Sequence, residues 1–407
     1  MFKTKKKMKR NWILLTLLFL LLPACSEKED PEIPDFPGKE EKTDPSDNKE
    51  PEEVTPQGPY DLSVLDKPLK DVKVLTSGTW LQNASVMQSF VLPGDGTMLA
   101  NQLAPTGSKH KISVTRKGIT SNSGKTMMRL SFFGHGDNMA HQKDASGNIW
   151  LWIGCHGTNA YYERNDVKDV MFTYGQTVAR VKFEPGKDVY PEDVQDLWYI
   201  PGLKCLSPAL DLEARQVAFY GYDASKVYYY YVFNLDDALA LAKKEVTLAY
   251  PIIRGPSEDY SLDPITYKVK VRNLSELKPV AKLTLTKKVF QGQPYELGSL
   301  TNQGFELREG RIYHYYGGGN DSDTSKSSVS VVTVFDFNGK IVDQRRVMAI
   351  ADLKDLADAG ITDYGFMESE GIKIYGDKLY LGYATKKKDD QHRYVTILEY
   401  DLPRKAK

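Results

Sequence analysis

The chain has 407 residues, 54 Lys and Arg balanced against 54 Asp and Glu, and three cysteines. The two ends of this balance sit apart: six basic residues fall in the first ten positions, and Ser26–Pro59 holds twelve acids against four lysines. Tyr60–Lys407 therefore keeps 44 basic and 42 acidic residues, a net +2. So weak a field does not hold a nucleic acid, which is excluded as an expected partner. None of Cys25, Cys155 and Cys205 stands in a CxxC or finger spacing, which excludes a zinc ribbon.

The chain opens with a basic segment (Lys3, Lys5, Lys6, Lys7, Lys9, Arg10), and then runs apolar from Trp12 to Leu22 apart from Thr16. Eleven residues are too few for a membrane-spanning helix, which needs about 20, so residues 1–24 read as a signal peptide. Leu21-Leu22-Pro23-Ala24-Cys25 resembles a bacterial lipobox, with Pro23 an unusual residue two places before the cysteine. That resemblance implies a lipoprotein, with diacylglycerol on the Cys25 thiol, a palmitate-type acyl anchor and the membrane as a partner. Residues 25–59 read as a disordered tether, since seven prolines and twelve acids leave almost nothing to bury. Its start, Ser26-Glu27-Lys28-Glu29-Asp30, resembles the acidic signal that sends some lipoproteins to the outer face of the outer membrane. The expected localisation is an outer-membrane lipoprotein displayed at the cell surface.

Residues 60–407 are expected to form one all-β domain. A phrase made of an apolar strand, a tight turn and an aromatic-rich strand recurs five times. It begins at Gln88, Ala140, Ser207, Gln303 and Glu370. The turns carry Asp95-Gly96, Ser146-Gly147, Glu309-Gly310 and Gly376-Asp377, residues that tolerate the positive φ a hairpin demands. A divergent hairpin repeated along a chain is the signature of a β-propeller, one sheet per blade, and five blades are expected. A two-sheet sandwich is the alternative. The repeats read as Ser85–Arg116, Met127–Phe183, Pro201–Leu285, Gly298–Val347 and Phe366–Leu402. A helix capped by Asn234 interrupts the third, another helical segment near Ile350–Ala359 precedes the fifth, and a lead-in strand near Leu75 is expected to close the ring.

Alignment on the turns sets Gln88-Ser89-Phe90, Gln303-Gly304-Phe305 and Glu370-Gly371-Ile372 at equivalent places, with His141 and Pro208 within a residue. In a propeller these positions ring the mouth of the central channel, where polar groups either face a ligand or satisfy one another and buried water. The densest cluster is Phe133-Gly134-His135-Gly136-Asp137-Asn138-Met139-Ala140-His141. Gln88, His135, Asp137, Asn138, His141, Gln303 and Glu370 are the candidate ligand-binding residues. His156 ranks below them. Asn320–Ser325 lacks the central Gly and late Glu of a calcium loop and reads as solvated surface. The tyrosine runs at Tyr228–Tyr231 and Tyr313–Tyr316 alternate into the blade core, so most are structural. Cys155 and Cys205 can be a disulfide or two buried thiols.

Phe133–His141 with Gly147–Gly154, then Gln303-Gly304-Phe305 with Tyr313, then Glu370-Gly371-Ile372 with Leu379-Tyr380 resemble one family in order and spacing. It is the propeller shared by teichoic acid biosynthesis protein C, helveticin-type bacteriocins and a phage tail receptor-binding protein. The resemblance covers Ser85 to Leu402 and implies a five-bladed propeller that binds cell-envelope polymers, chiefly sugar-phosphate chains. It does not settle a catalytic activity, since these groups differ in role, and no cofactor is expected apart from the divalent metal of the alternative below. The expected function is glycan binding at the channel mouth without turnover. The alternative is a hydrolase of a lactone, phosphate ester or glycosidic bond, with Glu370, His141 and Asp137 around a divalent metal.

Overall fold

The computed structural model describes residues 68–104, 111–157, 175–249, 266–285, 301–318, 329–362, 364–387, 390 and 392–402. Residues 1–59, where a signal peptide, a lipidated Cys25 and a tether are expected, and Asn320–Ser325 lie outside the described residues.

Five sheets, each led by one of the repeated hairpins, form five blades. The strand β1 (Lys73–Thr79) comes first in the chain but pairs last. Blade one holds β2 (Met87–Val91), β3 (Thr97–Leu103), β4 (Lys111–Gly118) and β5 (Thr126–Ser131). Blade two runs from β6 (Met139–Lys143) through β7 (Ile149–Cys155) and β8 (Thr177–Lys182). The two-residue β9 (Asp188–Val189) adds to the edge of blade one, while β10 (Asp196–Tyr199) is the fourth strand of blade two. Blade three is β11 (Lys204–Asp211), β12 (Gln216–Tyr222), β13 (Tyr228–Asn234) and, after an excursion, β16 (Ala281–Leu285). That excursion is α1 (Leu235–Ala240), β14 (Lys243–Ala249) and β15 (Thr266–Asn273). Blade four is β17 (Thr301–Arg308), β18 (Arg311–Gly318), β19 (Val329–Asp336) and β20 (Ile341–Arg346). After α2 (Leu353–Asp358), blade five is β21 (Tyr364–Tyr375), β22 (Lys378–Lys387) and β23 (Tyr394–Asp401), completed by β1. Using a strand from one end of the chain to finish the sheet of the other removes an open edge from the ring.

Two boundaries differ from those read in the sequence. Met127–Ser131 belongs to blade one, not to the second repeat, because β5 returns across the Gly/Ser-rich segment to pair with β4. The β14–β15 hairpin extends blade two through parallel pairing of β15 with β10, although it lies between strands of blade three. The helix predicted after Asn234 is α1, and the Asn234 side chain accepts hydrogen bonds from the Asp236 and Asp237 amides.

Alternation along buried strands explains the packing. Successive side chains point to opposite faces, so each blade feeds two seams. Phe90, Met98 and Ala100 of blade one meet Val395 and Ile397 of blade five, while Val91, Leu99 and Val114 meet Met139, Leu151 and Ile153 of blade two. Three further clusters fill the remaining seams, so the core is five apolar wedges around an axis. Tyr230, Tyr315 and Tyr316 are fully buried in or beside these wedges, as the alternation requires.

The innermost strands β2, β6, β11, β17 and β21 touch one another in a closed ring. Four of them carry a break in register, at Gln88, at Cys205-Leu206 and at Gln303-Gly304 near the starts of β2, β11 and β17, and at Glu370-Gly371 midway along the longer β21. Such bulges re-aim side chains and occur beside functional sites. Gly304 and Gly371 take φ of 116° and 107°, a backbone shape that L side chains rarely adopt. A Cβ on Gly304 would lie 3.2 Å from the Asn138 Oδ1, and one on Gly371 would lie 3.3 Å from the Ser89 Cα. The small residue after each polar one is what lets these backbones crowd the axis.

Candidate ligand site at the axial mouth

The mouth is the end at which the innermost strands begin. The segment linking β5 to β6 folds over it through the parallel bridge Phe133–Gly157, with Gly134 and Gly136 at φ of 66° and 86°. Phe133, His135, Asp137 and Asn138 line a small concavity that is partly open to solvent. The far wall is the β11 bulge, Cys205 to Ser207. Gly154 admits this close approach, since a Cβ there would lie 2.9 Å from the Leu206 carbonyl oxygen.

Below the mouth the axis is filled. Asn138 donates from Nδ2 to the carbonyls of Pro208 and Phe305, both at 2.8 Å, and its Oδ1 accepts from the Lys373 Nζ at 3.2 Å. One side chain of blade two thereby ties blades three, four and five. Lys373 also forms a buried ion pair with Glu306. Burial pushes the Glu306 carboxyl up to about 7 despite Lys373, and burial pushes the Lys373 ammonium down against the pull of Glu306. Here a carboxylate and an ammonium are kept from water by the packing of all five blades.

Around this pin, the bulges of β2 and β21 present a different kind of polar group. Gln88 and Glu370 are 6 % and 2 % exposed, and Gln88 Oε1 and Glu370 Oε2 have no hydrogen-bond partner. Burial, then the Glu368 and Asp137 carboxylates, push the Glu370 carboxyl well above the ordinary range, with Arg393 opposing them. The shift favours the protonated acid, which can donate as well as accept. Both residues adjoin the lining segment: Ser89 donates through its hydroxyl to the Gly136 carbonyl at 2.7 Å, and Gly371 packs on Ser89. Gln303 sits in the β17 bulge, 4 % exposed, beside Gly304 and hence beside Asp137 and Asn138.

The structure thus brings His135, Asp137, Gln88, Gln303 and Glu370 to one end of the axis. Two expected residues do not join them as ligands. The amide of Asn138 is consumed by the fold. His141 lies three residues further along β6, about 10 Å at 3.3 Å per residue, near the hairpin turns at the opposite end. There its ring meets Tyr375 at 5.8 Å, and burial, helped by Lys373 and Lys143, drops the imidazole to about 4. Its placement beside Gln303 and Glu370 in the turn-based alignment fails because the β6–β7 loop has five residues where those hairpins have two; Asp137-Asn138 occupies the equivalent place. His156 is buried against Thr177, 2.7 Å from its hydroxyl, and falls to about 3 by burial. Among the described residues no three His, Cys, Asp or Glu side chains are grouped to hold a metal. With His141 remote from Asp137 and Glu370, the metal-centred constellation expected for a hydrolase is not assembled. Cys155 and Cys205 are thiols rather than a disulfide, and the Cys205 Sγ lies 3.8 Å from the Asp137 Oδ2.

Sequence reasoning passed over Lys373 and Glu306. A signal for them was present: each follows the apolar residue of a polar-Gly-apolar phrase, at the same place in two repeats and with opposite charge.

A five-bladed β-propeller with a concave, polar axial mouth is the class that fold and site define. No family model matches the chain. Over 259 residues it is 27 % identical to the "Putative major teichoic acid biosynthesis protein C" of Bacillus subtilis strain 168, a match of 61 % of this chain and 42 % of that protein. The chain thus spans less than half the length of this curated relative. It superposes on the tail fibre of Staphylococcus aureus phage P68 with a TM-score of 0.50 at 11 % identity, over 82 % of this chain and 53 % of the fibre. A solved structure from Bacteroides thetaiotaomicron titled a putative glycosidase covers 86 % of this chain and 98 % of its own, at 13 % identity; its TM-score of 0.31 carries no argument. The resemblance to the teichoic acid biosynthesis protein C propeller group holds, and the shared feature is the scaffold.

Proposed function

We propose that the protein is a lipid-anchored, surface-displayed propeller that binds an envelope or extracellular glycan, or a sugar-phosphate polymer, at its axial mouth without turnover. The observation that carries this reading is the pair of partnerless polar atoms, Gln88 Oε1 and Glu370 Oε2, buried at the bulges of β2 and β21 beside the mouth. A buried polar atom left unsatisfied costs about 1–3 kcal/mol, and what sets this pair apart from bare atoms inside the blades, such as Gln344 Oε1 and Tyr400 Oη, is its place next to the segment that lines the mouth. Hydroxyl-rich ligands supply both donors and acceptors, which suits the Gln88 amide and the carboxyl groups of Glu370 and Asp137 together. The kinship to a protein named for teichoic acid biosynthesis and the likeness to a phage tail fibre support an envelope polymer as the ligand class. Cys25 supplies the anchor, and the acidic tether holds the domain away from the bilayer.

A glycan array probed with the full chain tests the binding. The expected result is retention of one polymer class and an altered profile for Gln303→Ala/Glu370→Ala. No retained polymer, with wild-type and variant profiles alike, removes the reading. Anchoring is tested separately: Cys25→Ala should leave the membrane fraction, and its retention in washed membranes would contradict a lipid anchor.

A further inference from the structure

On the mouth face, outward from Glu370, an aromatic shelf stands at the seam of blades five and one. Trp80 follows the end of β1 and is 43 % exposed, unusual for the largest side chain in a protein whose Trp152 and Trp198 are fully buried. Its ring lies 6.1 Å from that of Tyr394 and 6.4 Å from that of His392. Two ammonium groups flank the cluster: Lys125 Nζ is 5.2 Å from the Trp80 ring centre and Lys387 Nζ is 5.1 Å from that of Tyr394. The shelf is held in place. The Trp80 amide donates to the Asn122 Oδ1 at 3.0 Å, Lys125 donates to the Leu81 carbonyl at 3.1 Å, and Tyr394 donates to the Asp390 carboxylate. The end of β1, the end of β22 and the start of β23 all lie at the end where the innermost strands begin, so the shelf and the mouth share one face. Arg393, between His392 and Tyr394, is the guanidinium whose charge acts on Glu370.

We infer that this shelf is a second subsite, which takes one sugar ring of a phosphodiester-linked glycan on Trp80 and its neighbouring phosphate at Lys125 and Lys387. A flat aromatic face covers the apolar C–H face of a sugar, and lysines held beside it supply the charge a phosphodiester needs. At about 4.8 Å between strands, β23 and β1 stand roughly 10–15 Å outward from β21, the length of about two repeat units. One chain laid from the shelf to the axis therefore meets both subsites. Joining two subsites on one polymer multiplies affinity through effective concentration. This reading of the shelf rests on the mouth as the neighbouring subsite, and it narrows the ligand from glycans in general to anionic, sugar-bearing polymers.

The test is calorimetric titration of the full chain with three probes: a glycosylated poly(glycerol phosphate), neutral dextran and inorganic polyphosphate. The glycosylated polyphosphodiester is expected to bind at least about tenfold tighter than either control, a difference of about 1.4 kcal/mol. Trp80→Ala should weaken it by about tenfold, and Lys125→Ala/Lys387→Ala should erase both the preference over dextran and most of the salt dependence. Equal binding of dextran, or of polyphosphate, overturns the inference; so does unchanged affinity in both shelf variants. If Trp80→Ala fails to fold, Lys387→Glu decides instead, and unchanged affinity there overturns the inference. Failure of the mouth is told apart by Gln88→Met/Glu370→Met. Loss of binding in that variant, with the shelf variants unaffected, removes the shelf and keeps the mouth. The reverse pattern keeps the shelf and removes the mouth.

Discussion

The axis and the mouth are built on the same innermost strands, a few residues apart, yet they treat buried polar groups in opposite ways. At the axis, Asn138 spends both amide hydrogens on carbonyls of blades three and four and its oxygen on Lys373, whose charge Glu306 answers. At the mouth, Gln88 and Glu370 are as deeply buried, and each keeps an oxygen without a partner. Burial alone therefore does not separate a structural polar residue from a functional one. A bare oxygen points to function here through its place beside the mouth, because polar atoms inside the blades, such as Gln344 Oε1 and Tyr400 Oη, are bare as well.

The comparison can be broken most sharply at the ion pair. Lys373→Met leaves Glu306 buried without its counter-charge, and loss of one partner of such a pair costs about 3–5 kcal/mol. Denaturant unfolding should show this fall, with most of it recovered in Lys373→Met/Glu306→Leu, where neither charge remains. A smaller effect is expected from Asn138→Ala, about 3 kcal/mol, since two carbonyls and an ammonium lose a partner. A loss under 1 kcal/mol would mean that the axis is not pinned by this amide.

Protonation sharpens the same contrast. The Glu370 carboxyl is raised above its ordinary value, so the native state holds a proton that the unfolded chain has released. Stability supplied by that proton is present below the ordinary carboxyl pKa and is lost as pH rises through the window up to the raised value. The slope is at most about 1.4 kcal/mol per pH unit for one proton. Glu370→Gln keeps the shape and removes the titration, so urea midpoints measured from pH 5 to 8 should fall less steeply than in the wild type. Glu306, raised to about 7 by burial, acts in the same direction and leaves a residual slope in the variant. Identical slopes in both proteins would show that Glu370 is already ionised in the fold.

Much of the fold was legible because its determinants are local. Glu309 and Gly310, at φ of 49° and 72° between the paired Arg308 and Arg311, form the two-residue turn that their residue types announce. The ring closure by β1 followed from the need to remove an edge. Blade membership was harder, since pairing of β10 with β15 joins residues more than seventy positions apart and has no turn between them to advertise it. At the site, the segment His135–Asn138 was visible as a polar, glycine-flanked cluster. The division of labour within it was not. Whether an asparagine amide meets solvent or three neighbouring blades depends on backbone carbonyls that no side-chain pattern encodes. His141 misled for a related reason: the β6–β7 loop is three residues longer than the two-residue turns it was aligned with, and a shift of three residues moves a side chain about 10 Å along the axis.

The most direct test replaces the two partnerless groups with an apolar side chain of similar size. Gln88→Met/Glu370→Met should melt at or above the wild-type temperature, because the desolvation cost of two bare oxygens disappears, while glycan binding falls by at least about tenfold. A variant that melts lower and binds its polymer as tightly as the wild type would show that these groups serve the fold, and would contradict the account of the mouth as a ligand site.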